Sequence, residues 1–292
     1  MSRQVKNIIN ITAFLICIAL VNIAGQNIEL EIRGVNAFTY ILIAAVLIQV
    51  IFFIPSFLLK TEKYYDLVGS LTYVITISLA YFAVENKTTI DSIIYIYVMI
   101  WASRLGIYLF RRVQKDGKDV RFEKAKTHFF WFLQYWMGQA LWVSLTACAA
   151  IIAILSPEED SLPVLAMLGM ALWLTGFTIE SISDYQKRVF RKENNPSKSF
   201  IHTGLWARSR HPNYFGEITL WTGIAIIALN TLAGIEFITL ISPVFVYILL
   251  TRMSGVNLLE QIADERYGEL EEYQRYKKNT PVLIPKLSKD KN

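Results

Sequence analysis

An all-α, polytopic bundle of transmembrane helices with a cytoplasmic, amphipathic C-terminal helix is the fold class this sequence predicts, on three observations. Of its 292 residues, 54% are hydrophobic, gathered in runs longer than a soluble domain of this size carries. Charged residues are crowded into a few short segments and nearly absent between them, as in multi-pass membrane proteins. The basic segments also alternate with acidic or neutral ones, which is the asymmetry that orients a membrane protein.

The apolar runs read in order as follows. Arg3 and Lys6 precede residues 8–24; no small-x-small cleavage pattern follows, so this run reads as a first span and not as a signal peptide. A polar link over 26–36 leads to the second span, 38–59, and the charged turn 60–66 to the third, 67–84. The fourth covers 92–110 and carries Arg104 in its last turns. A basic loop with Arg111, Arg112, Lys115, Lys118, Arg121, Lys124 and Lys126 separates it from the aromatic-rich fifth, 129–155. An acidic segment, 156–161, precedes the sixth, 162–182, and a second basic loop runs over 184–213. The seventh is expected at 214–232 and the eighth at 237–250, for a total of seven or eight runs of the ~20 residues that a bilayer requires. The positive-inside rule places both termini and every basic loop in the cytoplasm. The expected setting is the bacterial inner membrane. No internal repeat or linker divides the chain, so residues 1–292 read as one membrane domain. In the tail, Leu259, Ile262, Leu270, Tyr273 and Tyr276 recur at helical spacing until Thr280-Pro281 ends the run. That helix lies on the membrane face or forms a lid over a site.

Several functional classes are excluded or weakened. The net charge of +5 is loop bias, and no nucleic-acid motif accompanies it. Cys17 and Cys148 lie inside apolar runs and read as packing residues. His128, His202 and His211 are too few and too scattered for a metal site, and no Gly-rich dinucleotide fingerprint is present. Asn10-Ile-Thr and Asn86-Lys-Thr match the glycosylation tripeptide, a short pattern of low specificity.

Chemistry concentrates in two stretches. One is Arg208-Ser-Arg210-His211-Pro-Asn213-Tyr214-Phe-Gly216-Glu217, where a basic loop turns into an apolar run through a Pro suited to a first helical turn. Asn213 and Glu217, four residues apart, place an amide and a carboxylate on one helical face. Gly216 lets a backbone or a flat ligand come close. A carboxylate just inside a span is costly, and so marks a functional site; the arginines would equally serve as headgroup anchors. The other stretch is Asp184-Tyr185-Gln-Lys-Arg188-Val-Phe-Arg191. At spacing i, i+4, i+7, Asp184, Arg188 and Arg191 share a face if the sixth helix continues, and paired guanidinium groups suit a phosphate. A plain positive-inside loop would look the same.

Taken together, Asp184-Tyr185, Arg188, Arg191, Gly204-Leu-Trp206, the Arg-His-Pro-Asn-Tyr-Phe-Gly-Glu stretch, Trp221, Gly223, Tyr273, Tyr276 and Pro281-Val-Leu-Ile-Pro285 resemble the steroid 5α-reductase C-terminal superfamily, in its DUF1295 branch. The likeness covers about residues 101–285. It implies a helical membrane enzyme in which NADPH enters from the cytoplasm and reduces the activated C=C bond of an enone in a lipophilic substrate, steroid- or isoprenoid-like. By matching position it implies that Asp184, Tyr185, Arg188 and Arg191 hold the adenosine and phosphate part. Asn213 and Glu217 face the nicotinamide, with Arg210, His211, Tyr214 and Tyr273 as liners. The steroid branch uses a Glu and a Tyr of the N-terminal half at the carbonyl oxygen; here Trp101 falls at the Tyr position, and an indole does not supply a proton. Glu62, Tyr65 and Asp66, at the turn before the third span, are the local substitutes, and a charged cytoplasmic turn is the alternative reading of the same residues.

Two other functions compete. Isoprenylcysteine and phospholipid methyltransferases, which use S-adenosylmethionine, share the Arg-His-Pro-x-Tyr-x-Gly and Tyr-x-x-Tyr…Pro-x-x-Pro patterns. Asp184-Tyr185-Gln-Lys and Asn213-Tyr-Phe-Gly-Glu217 favour the reductase. A transporter or non-catalytic lipid-binding protein would need polar groups along a pathway, whereas the charges here concentrate at one membrane face. Expected partners are therefore the bilayer and a lipophilic small molecule, with no nucleic acid and no metal; the oligomeric state is not legible.

Overall fold

The computed structural model describes residues 1–116, 119, 122–156, 161–194, 199–253 and 255–286. Lys118, Arg121 and most of the acidic segment 156–161 lie outside the described residues. Seven described helices are long and apolar enough to cross a membrane: Arg3–Gly25, Ala37–Leu58, Tyr65–Ala83, Thr89–Lys115, Phe129–Leu155, Val164–Glu193 and Gly234–Tyr267. The protein is thus an all-α, integral, multi-pass membrane protein. The run expected at 214–232 is a 17-residue helix, Pro212–Ala228. At 1.5 Å per residue it is about 26 Å long, shorter than a hydrocarbon core of about 30 Å.

The chain folds into two compact units, Met1–Met167 with Ala225–Ser242, and Leu168–Ile224 with Pro243–Asn292. In the first unit, α1 (Arg3–Val21) starts at Ser2, whose hydroxyl accepts from the Val5 amide at 3.3 Å. The polar link before α2 (Ala37–Leu58) holds a two-residue hairpin, β1 (Glu31–Ile32) with β2 (Val35–Asn36), which the sequence reading missed. Arg33 and Gly34 form its turn, both at positive φ (54° and 77°), as a primed hairpin turn demands. Asn36 then caps α2 through the Thr39 amide at 3.1 Å. α3 is Tyr65–Ala83 and α4 is Thr89–Asp116. Thr88 and Asp91 exchange hydrogen bonds ahead of α4, 2.8 Å to Asp91 Oδ2 and 3.1 Å to Thr88 Oγ1, so two orphan amides are satisfied reciprocally.

α5 (Phe129–Leu155) is the centre of this unit, packed by α1, α2, α3 and α4. Its apolar stretch is 83% buried, against 22–44% for the other spanning helices. That explains its run of small residues, Ala147-Cys-Ala-Ala, all fully covered. Near its N-terminal end, Phe53, Tyr65, Phe122, Phe132 and Trp136 make an aromatic cluster, with Tyr65 and Phe122 centroids 4.7 Å apart.

In the second unit, α6 (Val164–Glu193) continues about three turns past the expected end of the sixth span, so Asp184–Arg191 is helical and not loop. It runs antiparallel to α7 (Pro212–Ala228), backbone against backbone. A Cβ on Gly216 would stand 2.6 Å from both the Gly176 carbonyl oxygen and the Glu180 amide nitrogen; one on Gly223 would stand 2.6 Å from Gly169 O and Trp173 N. The close approach offered by Gly216 is therefore taken by α6, a small-residue contact of the kind that holds membrane helices together. α8 (Ile241–Ile248) passes into a π-turn at Leu249–Met253. The C-terminal helix expected as one piece is two, α9 (Val256–Tyr267) and α10 (Glu271–Asn279), broken at Gly268–Leu270. Phe200, Tyr267 and Tyr273, with Tyr276 against them, form the small aromatic core that joins these helices to the 199–201 segment.

Candidate functional site

Within the second unit, the end of α6, the loop before α7, α9 and α10 enclose a cavity of about 180 Å³. Among the described residues four cations line it, Lys187 and Arg191 from α6, Arg210 from the loop and Arg266 from α9, against one carboxylate, Glu260. The walls are aromatic: Phe190, Phe200, Trp206, Tyr267, Tyr273 and Tyr276. Lys187 lies over the Trp206 ring, 4.9 Å from its centroid, and the Trp206 indole donates to Ser183 O at 3.1 Å.

The loop is held in place from two sides. Tyr276 donates its hydroxyl proton to the Trp206 carbonyl at 2.8 Å, tying α10 to the short helical turn Gly204–Ala207. The chain end is stitched to the loop backbone. Arg210 N donates to Pro281 O (2.9 Å), His211 N to Val282 O (3.1 Å) and Lys286 N to Arg208 O (3.0 Å). The fully buried Ser209 hydroxyl donates to Leu283 O at 2.7 Å. The Pro-Val-Leu-Ile-Pro ending is thus a strap that fixes the segment carrying Arg210 and His211.

Glu260 on α9 takes both of these side chains. Arg210 Nη1 contacts its Oε2, and His211 Nε2 its Oε1 at 2.8 Å. A carboxylate only accepts, so Nε2 carries the proton and Nδ1 is the acceptor of a neutral ring. Burial pushes the His211 pKa below the usual histidine value and outweighs the hydrogen bond and charge of Glu260, which act the other way; Lys187 and Arg210 add to the depression. Arg210 Nε is buried with no hydrogen-bond partner among the described residues. The guanidinium therefore has one edge engaged and one buried donor unmatched by the described residues.

The residues singled out in the sequence separate into groups. Arg191, Arg210, His211 and Tyr273 line the cavity. Tyr273 also donates to Asp264 Oδ1 at 3.1 Å, beside the Lys277 pair. Asp184 is buried, while Tyr185 and Arg188 on the same helix are exposed, the guanidinium stacked 5.4 Å from the Tyr185 centroid. Tyr214 stacks on His211 with centroids 5.7 Å apart. Asn213 is half-buried and Glu217, one turn on, is buried. Glu62, Tyr65 and Asp66 belong to the first unit and have partners there. Glu62 accepts from Lys126 Nζ at 2.7 Å and the Asp119 amide at 3.1 Å. Tyr65 donates to Tyr135 O at 2.9 Å, and Asp66 pairs with Arg112 at 3.2 Å. Lys187, Glu260 and Arg266 were missed. Lys187 lies one turn before Arg191 and is the only one whose spacing could have revealed it.

A multi-pass helical membrane protein with a cation-rich, aromatic-walled cavity closed by its C-terminal helices is the class that fold and site define. The chain belongs to the family described as Protein of unknown function (DUF1295), whose model matches residues 52–280. It is also similar to 3-oxo-5-alpha-steroid 4-dehydrogenase 1 of Mus musculus, 31% identical over 121 residues (41% of this chain, 42% of the relative). The Rattus norvegicus protein of that name is 29% identical over 119 residues (41% and 40%), and the Homo sapiens one 38% identical over 60 residues (20% and 23%). The chain spans about two fifths of the length of the rodent relatives it matches. No solved structure matches it.

Proposed function

We propose that this protein is an NADPH-dependent reductase of an activated carbon–carbon double bond in a lipophilic substrate, working at the cytoplasmic face of the membrane. The observation that carries the reading is the charge of the cavity: four cations against one carboxylate favour a phosphate-bearing ligand. S-adenosylmethionine, itself a sulfonium cation, gains nothing from that excess, which weighs against a methyltransferase. The donor set fits the phosphate end of NADPH. The volume of about 180 Å³ is below the range of about 300–1,000 Å³ for whole ligand sites, so the cavity takes one end of the cofactor and not all of it.

NADPH, when bound, supplies a hydride. The chain's residues bind, orient and exclude water. Lys187, Arg191 and Arg210 would hold phosphate oxygens, between walls that are largely aromatic. Asp184, Tyr185 and Arg188 extend the adenosine end. Asn213 and Glu217 address the nicotinamide end, with Tyr214 as a liner, as the family resemblance implies. For the proton the candidates are Glu62, Tyr65 and Asp66, each of which must release its present partner to act.

The test is binding to the purified protein, followed by NADPH fluorescence. Micromolar NADPH affinity that falls tenfold or more in Arg191→Ala, with oxidation on adding a lipophilic enone, is the expected result. S-adenosylmethionine binding in its place would overturn the reading, and enone-independent behaviour would leave a binding protein without this catalysis.

A further inference from the structure

We propose that Glu260 is a resident counter-anion that sets the charge of the ligand the cavity accepts. This rests on the anion-binding reading of that cavity and goes beyond it by assigning the discrimination to one side chain.

Among the described residues of the lining, Glu260 is the single carboxylate, beside Lys187, Arg191, Arg210 and Arg266. It is drawn toward the loop by Arg210 and His211, and the three side chains are only 19%, 12% and 8% exposed. Its grip on Arg210 runs through Nη1, and the Nε–H stays buried without a partner among the described residues. The carboxylate therefore acts in two ways. It holds Arg210 and His211 in position before a ligand arrives, which limits the reorganisation that binding costs. It also stands within the cavity wall as a fixed negative charge, repelling each added charge on the ligand in a partly buried setting where screening is weak. A resident anion of this kind makes the cavity selective for the singly charged oxygens of a phosphodiester over a compact multivalent anion, a choice the four cations alone would reverse.

His211 supports this arrangement. Its neutral ring donates Nε2–H to Glu260 and adds no charge of its own, so the balance at the loop is one guanidinium against one carboxylate. The isosteric substitution Glu260→Gln removes the charge and keeps one acceptor, for Arg210; its amide NH2 then faces His211, whose ring can receive it at Nε2 in the other neutral tautomer.

The experiment is titration calorimetry on the full-length purified protein with three probes: inorganic pyrophosphate, phenyl phosphate and adenosine. In Glu260→Gln, pyrophosphate is expected to bind on the order of tenfold tighter, phenyl phosphate to gain less, and adenosine to be unchanged. Weaker binding of all three would make Glu260 a structural clamp, and equal gains for all three would make it a steric element; either overturns the inference. If Glu260→Gln does not fold, Glu260→Asp, which withdraws the carboxylate by one methylene, is expected to gain pyrophosphate affinity by a smaller factor, and no gain overturns it. Wild-type protein that binds neither phosphate probe removes the anion-site reading itself. Wild-type binding without a charge-graded gain removes only the role of Glu260.

Discussion

Gly176 and Gly216 face each other so closely that the Gly176 carbonyl oxygen would stand 2.6 Å from a Cβ placed on Gly216. Both positions lie on backbone that cannot swing aside as a side chain can. Gly216→Ala is therefore expected to destabilise the α6–α7 pair by about 1–3 kcal/mol, the usual cost of overpacking. Gly138→Ala on α5, where a Cβ would meet Phe14 at an ordinary 3.5 Å, is the control and should be neutral or slightly stabilising. Thermal unfolding of the detergent-solubilised protein decides, and equal melting temperatures for the two variants would count against the packing argument.

His211 gives the protein a sign for its response to acid. Its folded pKa is depressed by burial, so below about pH 6.5 the unfolded chain takes up a proton that the folded protein resists. Stability contributed by this residue is complete above that pH and is lost as pH falls toward the lower folded value. Melting temperatures recorded from pH 8 to pH 5 should fall at the acid end, and His211→Gln should flatten that part of the curve. A wild-type curve that His211→Gln leaves unchanged would exclude this residue as the source.

Ser209 is fully buried, and its hydroxyl holds the strap through Leu283 O. Ser209→Ala takes the hydroxyl donor from the part-buried Leu283 carbonyl and should cost about 1 kcal/mol locally. Hydrogen exchange is expected to quicken at the amides of Arg210, His211 and Lys286, which pair across the strap, and to stay unchanged on α5. Uniform protection in the variant would show that the backbone bonds alone suffice.

Glu62 separates two roles. The residue is 4% exposed and its carboxylate is paired with Lys126, so Glu62→Gln leaves a cation without its charged partner and should lower stability by about 1–3 kcal/mol. If Glu62 is instead the proton donor, the same variant loses enone turnover while its melting temperature holds. The two readouts taken on one sample distinguish a structural anchor from a catalytic group.

The helices were legible because a bilayer imposes length and apolarity on each of them. The run read at 129–155 coincides with α5, and 38–59 and 67–84 fall within two residues of α2 and α3. The hairpin at 31–36 was hidden because two-residue strands leave no periodic signal, only Arg33-Gly34 at the turn. The C-terminal break was hidden for the opposite reason: Leu259 to Tyr276 keeps helical spacing across Gly268, although the chain leaves the helix there. Arg191, Arg210 and His211 could be singled out by residue type and motif, but Glu260 could not. It is 49 residues from His211, and nothing in local spacing announces which charge on α9 will meet the loop.

The strap has a consequence for how the protein is made. Chains emerge from the ribosome N-terminus first, yet the segment bearing Arg210 and His211 depends on bonds to residues 281–286. The helices before the loop can leave the ribosome before those residues exist, and the cavity still lacks its clasp. A nonsense codon near position 280 would thus yield a product that passes membrane insertion and fails afterwards, visible to proteolytic quality control as a loose tail instead of a missing span.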